Sequence, residues 1–348
     1  MIRGQLKPSI EPLVVNGRFL RATPTGLARV ARSLLEAGLT AGLPAEVVAP
    51  PGIPDPLISR HTRSFSGGLG DRLWEQTVLP AVARRRRVLS LTNTAPIAGR
   101  NVMWVHDLAP LVGPQWFTRS MRLYGELVLH AARRAERVFT VSEQIREELV
   151  SAGVKGPIGV VRSAVDPGLV APGPAETAAA LKRLGVHEPY LLIVGWTDPR
   201  KDALTAVAAH LRVAKSRPHQ LVLVGLPRPI FTAVDLPDSD TIHVVGYVDD
   251  SDLRALLAGA AALLYPSHYE GFGLPPIEAW QCGTPAIVSD IPSVREATQN
   301  RAVYVPTGDV AAWAEAMEAA LEGHIPTPEP VQWSWSDAAE QLLAILRT

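Results

Sequence analysis

Two glutamates flank a glycine-rich loop in the segment HYEGFGLPPIEAW. Glu270 precedes the loop 271–274, and Glu278 lies beyond it, with seven residues between the two glutamates. Pro275 or Pro276 suits the first turn of a helix, because the amides there have no partner within the helix. Such amides and the positive end of the helix dipole favour phosphate, and glycines let the backbone approach closely. The segment therefore predicts an anion site at a helix start.

The two carboxylates at this anion site call for a different kind of partner. A carboxylate repels phosphate, but its two oxygens can accept hydrogen bonds from a vicinal diol. One diol would belong to a sugar and the other to a ribose, which together indicate a nucleotide-sugar site. On Glu270 and Glu278 alone an alternative stays open, namely one glutamate that interacts with the helix dipole and one chance surface glutamate.

A basic pair follows a predicted buried strand, YLLIVG at 190–195. Arg200 and Lys201 lie in WTDPRKD at a predicted helix start. A sugar diphosphate carries two negative charges and needs cations, and arginine can bind phosphate in a bidentate manner. The alternative is an ordinary exposed pair of basic residues.

Short apolar runs alternate with helical stretches along the chain, which predicts parallel sheets covered by helices on both faces. The fold class is therefore α/β, with two doubly wound Rossmann-like domains whose ligand lies beyond the carboxyl ends of the strands, in the cleft between them. We predict a first domain at 1–168, joined by a C-terminal helix at 333–348, and a second domain at 169–332. The predicted elements of the first domain are strands at 12–20, 45–50, 87–91, 101–106, 136–142 and 158–164, with helices at 26–38 and 119–135, and 170–176 is interpreted as a linker.

Composition excludes several classes of protein. The 348 residues are 47% hydrophobic and 20% charged, with a formal net charge of zero, which argues against nucleic-acid binding through bulk charge. A single cysteine, Cys282, fits a reducing compartment. The N-terminal segment lacks the pattern of a signal peptide, and the chain has no run of 18 apolar residues. We therefore expect a cytoplasmic protein.

The stretch from Gly246 to Glu296 closely resembles the C-terminal half of glycosyltransferase family 4, whose members retain anomeric configuration and have the GT-B fold. The family signature is a glutamate, seven residues and a second glutamate around a GFGLP loop. The resemblance implies that Glu270 contacts the transferred sugar and Glu278 the ribose. It assigns the sugar and the diphosphate to the loop amides of Gly271, Phe272, Gly273 and Leu274. It also implies that 1–168 is the acceptor domain and 169–332 the nucleotide-sugar donor domain.

The resemblance extends over most of the chain, from about Val14 to Met317, and motifs such as VHDLAPLVGPQWFTRS are similar to a bacterial mannosyltransferase-like branch. It places His106 near the donor sugar and its phosphate, where it would bind a sugar hydroxyl or the leaving phosphate. It implies donor contacts for Arg200 and Lys201, although Trp196 stands where many members have arginine. It also implies donor contacts for Gly26, Ser142, and the backbone of Tyr247 and Val248, and makes Asp107 a candidate for the acceptor. The alternative for His106 is a histidine packed in the core, and for the others it is a helix cap or a turn.

We predict a hexosyltransferase that needs no metal and no cofactor besides its co-substrate. It would move mannose from GDP-mannose to a glycan or lipid-linked saccharide in cell-surface polysaccharide synthesis. The same reaction with UDP-glucose, UDP-N-acetylglucosamine or dTDP-rhamnose is an alternative, and a non-catalytic sugar-nucleotide-binding subunit is another. Two D-x-D triplets, at 238–240 and 250–252, are interpreted as a polar turn and a helix cap by Asp250 or Ser251 rather than metal ligands.

Basic residues at 84–87 and 133–134 suggest peripheral contact with an anionic membrane at its inner face, or else solvated helix ends.

Overall fold

A computed structural model describes residues 10–21, 26–65 and 70–347. These residues form two compact units. Unit 1 comprises the chain up to Leu108, Tyr124–Ala164 and the residues from Trp333 onward, and unit 2 comprises Ala109–Leu123 and Val165–Gln332. Thr25 and residues 1–9 of the N-terminal segment interpreted above lie outside the described residues.

The elements follow one another as the alternating pattern predicts. The strands are β1 (Leu13–Asn16), β2 (Ala45–Ala49), β3 (Arg60–His61), β4 (Val88–Ser90), β5 (Asn101–Val105), β6 (Arg137–Thr140), β7 (Ile158–Val160), β8 (Tyr190–Val194), β9 (Gln220–Val224), β10 (Ile242–Gly246), β11 (Ala262–Tyr265), β12 (Ala286–Ser289) and β13 (Val303–Val305). The helices are α1 (Gly26–Thr40), α2 (Gly70–Ala83), α3 (Ala109–Val112), α4 (Arg119–Arg134), α5 (Glu143–Ser151), α6 (Pro174–Leu184), α7 (Ala203–Val213), α8 (Asp250–Gly259), α9 (Leu274–Gln281), α10 (Pro292–Ala297), α11 (Val310–Leu321) and α12 (Trp335–Arg347).

Each unit contains one parallel sheet. The seven-stranded sheet of unit 1 has the order β3-β2-β1-β4-β5-β6-β7, and the six-stranded sheet of unit 2 has the order β10-β9-β8-β11-β12-β13. All pairings between the strands are parallel. The predicted pair of doubly wound α/β sheets is therefore confirmed. The strand order reverses between β1 and β4 in unit 1 and between β8 and β11 in unit 2, and such reversals are where α/β sheets bind ligands.

The cores explain why the central strands are apolar throughout. In unit 2, strands β8 and β11 are buried on both faces, and Trp313 of α11 is fully buried against the sheet. In unit 1, Trp74 of α2 packs among Val14 and Val48 and donates from its indole Nε1 to Thr62 Oγ1 at 2.7 Å. Buried parallel strands have no solvent face, so continuous apolar runs are what the sheets require.

Several predicted boundaries were wrong. The strand predicted at 12–20 ends at Asn16, and Gly17–Arg21 forms a 3₁₀ helix. A Cβ at Gly17 would lie 2.9 Å from Val48 O, so the close approach of these two backbones requires glycine here. Helix α1 continues through Gly38 to Thr40, whose hydroxyl donates to Glu36 O at 2.9 Å.

Other differences concern helix starts and unit membership. Helix α6 begins at Pro174, inside the predicted linker. Helix α8 is capped by Asp249, whose carboxylate accepts from Asp252 N, rather than by Asp250 or Ser251. The segment 109–123, predicted to lie in the first domain, belongs to unit 2, where Thr118 N donates to Ile230 O.

The C-terminal helix α12 belongs to unit 1, where it packs on α1. Ser334 caps it, since its hydroxyl accepts from Asp337 N at 3.1 Å. The Arg87 guanidinium donates to Leu346 O at 3.4 Å. No helix among the described residues is long and apolar enough to span a bilayer.

Candidate functional site

The loops that follow β8 and β11 meet at the reversal of strand order in unit 2. Strand β11 ends at Tyr265, and the chain then runs through residues 266–273 to the start of α9. Gly273 has φ +115°, and a Cβ there would lie 3.2 Å from the Val294 side chain. Only glycine takes this conformation without strain, so the loop geometry depends on Gly273. The predicted helix start at this loop is confirmed, with Pro275 and Pro276 in its first turn.

Glu270 lies at the centre of this junction. Lys201 Nζ donates to its Oε1 at 3.1 Å, and Ser267 Oγ donates to the same oxygen at 2.9 Å. Burial opposes ionisation, but Lys201 and Arg200 outweigh it and hold the pKa of the Glu270 carboxyl below its ordinary value. Ser293 Oγ also donates to the Glu270 carbonyl at 2.8 Å. The carboxylate is therefore ionised at neutral pH and fixed in place.

The two members of the predicted basic pair have different partners. Lys201 contacts Glu270, whereas the Arg200 guanidinium donates to both oxygens of Asp198, at 3.1 and 2.6 Å. The same guanidinium lies 5.6 Å from the ring centroid of Phe117 and 5.9 Å from that of Phe231. Arg200 thus holds the segment around Phe117 to the loop after β8.

His268 joins the two loops a second time. Its backbone N donates to Arg200 O at 2.7 Å, and its Nε2 lies 3.1 Å from Asp202 Oδ2, which is an ion pair when the ring is protonated. The Asp202 carboxylate raises the pKa of His268 against the effect of burial. The ring also stacks on Trp116, with centroids 6.0 Å apart.

The sequence analysis did not predict four polar residues of this junction, namely Asp198, Asp202, Ser267 and His268. Their position in the sequence was the available signal, because each lies within three residues of the basic pair or of Glu270.

The other predicted donor residues of unit 2 lie at the same edge of the sheet. Glu278 is half-buried in α9, one turn beyond its first residue Leu274. Tyr247 and Val248 follow β10, which ends at Gly246 with φ +82°. Tyr247 is 71% exposed, which leaves its ring accessible to a ligand. Gly271 and Phe272 are buried within the loop itself.

The predicted residues of unit 1 are dispersed over several elements. His106 and Asp107 follow β5, and Gly26 begins α1 with open space around its Cα. Ser142 is fully buried and caps α5, where its hydroxyl accepts from Ile145 N at 3.4 Å. The hydroxyl of Ser142 therefore caps this helix, and its contact with the donor stays a prediction.

His106 is held in one protonation state by its surroundings. Burial lowers the pKa of His106 to about 4, so the ring is neutral at physiological pH. Its Nε2 lies 3.0 Å from Leu91 O, and because a carbonyl only accepts, Nε2 carries the proton. The remaining nitrogen, Nδ1, then accepts hydrogen bonds, which suits a sugar hydroxyl and not a phosphate oxygen.

The basic runs are partly paired within unit 1. Arg86 forms an ion pair with Glu46 at 2.8 Å, and Arg87 is buried. Arg133 donates to Ala152 O, while Arg84 and Arg85 are exposed. Fewer cations than the sequence suggests are therefore available to an anionic membrane.

Across residues 10–21, 26–65 and 70–347, no group of three or more His, Cys, Asp or Glu side chains is arranged to hold a metal ion.

Comparison with known proteins identifies the family of one segment. Residues 188–323 match the family model described as glycosyl transferases group 1. Residues 188–323, which lie within unit 2, are therefore identified as a group 1 glycosyltransferase segment. It is 28% identical over 247 residues to the O-antigen chain mannosyltransferase RfbU of Salmonella typhimurium, covering 69% of this chain and 66% of that protein. It is also 28% identical over 222 residues to O-antigen chain mannosyltransferase B of Escherichia coli, covering 61% of this chain and 58% of that protein.

Solved structures agree on the fold. The sucrose-phosphate synthase of Thermosynechococcus elongatus superposes with a TM-score of 0.67 at 22% identity, covering 97% of this chain and 95% of that chain. The predicted GT-B fold and the resemblance to family 4 are thereby confirmed. The matched residues of the group 1 glycosyltransferase model include both Lys201 and the loop from Glu270 to Glu278. The chain therefore spans 66% of the length of the first mannosyltransferase and 58% of the length of the second.

Proposed function

We propose that this chain is a retaining hexosyltransferase that moves mannose from GDP-mannose to a glycan or lipid-linked saccharide acceptor. The observation that carries the proposal is the contact between Lys201 and Glu270 at the β8–β11 reversal, beside the start of α9. A fixed cation, an ionised carboxylate and a helix start at one sheet edge are complementary to a sugar diphosphate.

Each group takes a different part of the donor. Lys201 and the loop amides at 271–274 bind the diphosphate, because prolines at 275 and 276 have no N–H to offer. The ionised carboxylate of Glu270 accepts from hydroxyls of the transferred sugar, and Glu278 accepts from the ribose diol. The exposed segment at Tyr247 and Val248 receives the base.

The reaction proceeds by front-face displacement. The bond between the anomeric carbon and the diphosphate oxygen breaks, and the acceptor oxygen bonds to the same face of that carbon. The acceptor proton passes to the departing diphosphate oxygen, so the anomeric configuration is retained. Lys201 and the loop amides stabilise the negative charge that develops on the leaving group. His106 Nδ1 accepts from a sugar hydroxyl.

The names of the two relatives support mannose as the sugar. Both are O-antigen chain mannosyltransferases, which also supports a polysaccharide acceptor. We extend this to synthesis of a cell-surface glycan on the cytoplasmic side of the membrane, with peripheral contact through the exposed Arg84 and Arg85.

The nucleotide is tested by thermal shift with GDP, UDP, dTDP and their sugars. A ligand that binds the native state raises the melting temperature, so GDP and GDP-mannose are expected to give the largest shifts. A larger shift with UDP or dTDP sugars would replace mannose and GDP in the proposal. No shift with any of them would overturn it.

The two glutamates are distinguished by neutral variants with the same shape. Glu278→Gln is expected to weaken GDP binding about tenfold, the loss of one charge-assisted hydrogen bond. Glu270→Gln is expected to lower kcat roughly 100-fold with a smaller effect on GDP binding. Glu315→Gln on the exposed face of α11 is the matched control. Wild-type kinetics in both site variants would show that the site lies elsewhere.

A further inference from the structure

Strand β11 ends in a buried tyrosine that the proposed reaction does not use. The strand reads ALLY, and Tyr265 at its carboxyl end is 2% exposed. Its neighbour across the sheet is Val288 of β12, which is apolar and also buried. A buried phenol needs a partner for its hydroxyl, which an apolar side chain in the same place would not need. The position of Tyr265, shortly before Glu270 in the chain, indicates that this partner lies in the loop after β11.

The ring of Tyr265 lies against the ammonium of Lys201. Lys201 Nζ is 4.4 Å from the ring centroid, and 15% of the Lys201 side chain is exposed. A cation is attracted more strongly to an aromatic face when the two are shielded from water. The stem of Lys201 is packed as well, since a Cβ added to Gly195 would lie 3.1 Å from Lys201 Cε. The position of the ammonium is therefore set by its stem and by the ring together.

The hydroxyl of Tyr265 acts on the Glu270 carboxylate. Burial opposes ionisation of this carboxylate, and after Lys201 and Arg200 the hydrogen bond from Tyr265 is the next influence that lowers its pKa. Burial and the charge of Glu270 raise the pKa of Tyr265 well above its ordinary value, so the phenol keeps its proton and donates. The other charged groups that act on the phenol are Arg200 and Asp198, which pair with each other. Tyr265 is therefore a fixed hydrogen-bond donor and not a base.

One side chain thus joins the two charged groups on which the donor site depends. Lys201 Nζ donates to Glu270 Oε1 at 3.1 Å, and Tyr265 contacts both members of this pair. An ammonium has three N–H donors, and Lys201 Nζ makes no second hydrogen bond among residues 10–21, 26–65 and 70–347. The remaining donors can bind a diphosphate while the ring and the carboxylate keep the ammonium in place.

We propose that Tyr265 is a positioning residue of the transfer, whose ring holds the Lys201 ammonium and whose hydroxyl holds the Glu270 carboxylate. The inference rests on the proposed function, since it concerns the same donor site. The ring serves the binding of the diphosphate through Lys201, and the hydroxyl serves turnover through Glu270. Removing the two parts separately should therefore have different consequences.

The test compares Tyr265→Phe with Tyr265→Leu in the full chain. Tyr265→Phe keeps the ring, so the GDP affinity measured by isothermal titration should stay within about twofold of the wild type. The lost donor should lower kcat about threefold to tenfold, measured as GDP release from GDP-mannose with water as the acceptor. Tyr265→Leu also removes the ring, and should weaken GDP binding about threefold to tenfold besides lowering kcat.

A cycle of melting temperatures tests the hydroxyl without any turnover. At pH 7, Tyr265→Phe should lower the melting temperature more in the wild-type background than in the Glu270→Gln background. The reason is that a hydrogen bond to a charged carboxylate is stronger than one to a neutral amide. Equal losses in the two backgrounds would show that the hydroxyl does not act on Glu270, and would overturn the inference.

Tyr190→Phe is the matched control. Tyr190 begins the neighbouring strand β8, is fully buried, and donates from its hydroxyl to Leu256 O at 2.7 Å. The variant removes a buried hydroxyl of the same kind at the opposite end of the sheet. It should lower the melting temperature equally in both backgrounds and leave GDP affinity and kcat within about twofold of the wild type.

The outcomes separate this inference from the proposed function. A wild-type kcat in Tyr265→Phe, or a wild-type GDP affinity in Tyr265→Leu, overturns the inference while the donor site stands. A loss of kcat in Tyr190→Phe as large as that in Tyr265→Phe also overturns it, because any buried hydroxyl of the sheet would then matter. A wild type without any GDP shift overturns the proposed function, and the melting cycle still decides whether Tyr265 holds Glu270.

Discussion

At both reversals of strand order a basic side chain contacts a buried glutamate, but the pKa of the glutamate shifts in opposite directions. In unit 2, Lys201 after β8 contacts Glu270, and the pKa of that carboxyl is lowered. In unit 1, Arg18 after β1 contacts Glu75, and the pKa of that carboxyl is raised. One cation at about 3 Å is therefore not sufficient to fix the charge of a buried glutamate.

The remaining neighbours account for the difference. Each carboxylate has two cations that lower its pKa, Lys201 and Arg200 for Glu270, and Arg18 and Arg72 for Glu75. Glu270 also accepts from the Ser267 hydroxyl. The Glu75 side chain is 3% exposed against 13% for that of Glu270, and Glu75 Oε1 has no hydrogen-bond partner among the described residues of the chain. Fixed donors replace water around Glu270, whereas around Glu75 the lost hydration is replaced only in part. The first carboxylate suits contact with a substrate, and the second suits the holding of a cation.

The largest expected effect separates the two cations. Lys201→Met should weaken GDP binding roughly 100-fold, because a charged contact to the diphosphate is lost and the Glu270 carboxylate loses its nearest cation. Arg18→Met should leave GDP binding within about twofold, since the Arg18 guanidinium is bound to Glu75 and Thr94 in unit 1. Isothermal titration with GDP measures both. Equal losses in the two variants would contradict the assignment of the diphosphate to the β8–β11 reversal.

The glycines at the two sites should also differ. Gly273→Ala forces a Cβ into a left-handed conformation and against Val294, so we expect a loss of about 1–3 kcal/mol in the free energy of unfolding. Gly26→Ala meets open space at the start of α1 and should change that free energy by less than about 1 kcal/mol. Urea unfolding measures both changes. A similar loss for Gly26→Ala would mean that its loop is as constrained as the donor loop.

The pH dependence of stability should have opposite signs for the two glutamates. The lowered pKa of Glu270 contributes stability above its ordinary value of 4.5, and that stability is lost as pH falls through the lowered pKa. The raised pKa of Glu75 contributes stability below 4.5 that is lost as pH rises through the raised pKa.

Glu270→Gln should therefore lower the melting temperature by more at pH 7 than at pH 4. Glu75→Gln should lower the melting temperature by less at pH 7 than at pH 4. Melting curves of both variants and the wild type at the two pH values make the comparison. If the loss in melting temperature changed with pH in the same direction for both variants, the pKa values of the two carboxyls would be shifted in the same direction.

The smallest expected effect is that of a chelator. Lys201 and the loop amides supply the positive charge that the donor diphosphate needs, so EDTA should leave the rate of transfer from GDP-mannose unchanged within about twofold. Initial rates before and after dialysis against EDTA test this. A loss that Mg²⁺ or Mn²⁺ restores would add a metal to the reaction.

The donor region was largely predictable from the sequence because its parts are local. Glu270, the glycine loop and the start of α9 are consecutive in the sequence. A loop that contains glycines and is followed by two prolines leaves few conformations for the backbone between strand and helix. The contact of Lys201 with Glu270 was also within reach, since each follows a predicted strand of one parallel sheet.

The β1–β4 reversal was not predictable in the same way. The apolar run at 12–20 predicted a longer strand, and the 3₁₀ turn that presents Arg18 depends on the packing of Gly17 on Val48. Glu75 lies on the amphipathic helix α2, where its charge gives no sign that it points inward. Such pairs arise from tertiary packing, which periodicity does not encode.

The position of α12 has a consequence for the order in which the chain folds. Unit 1 takes its last helix, Trp335–Arg347, from sequence that follows all of unit 2, and that helix packs on α1. During synthesis, unit 2 therefore has its full set of residues before unit 1 does. The first half of the chain leaves the ribosome with the α1 surface uncovered, so chaperone capture and degradation should concentrate on this interval.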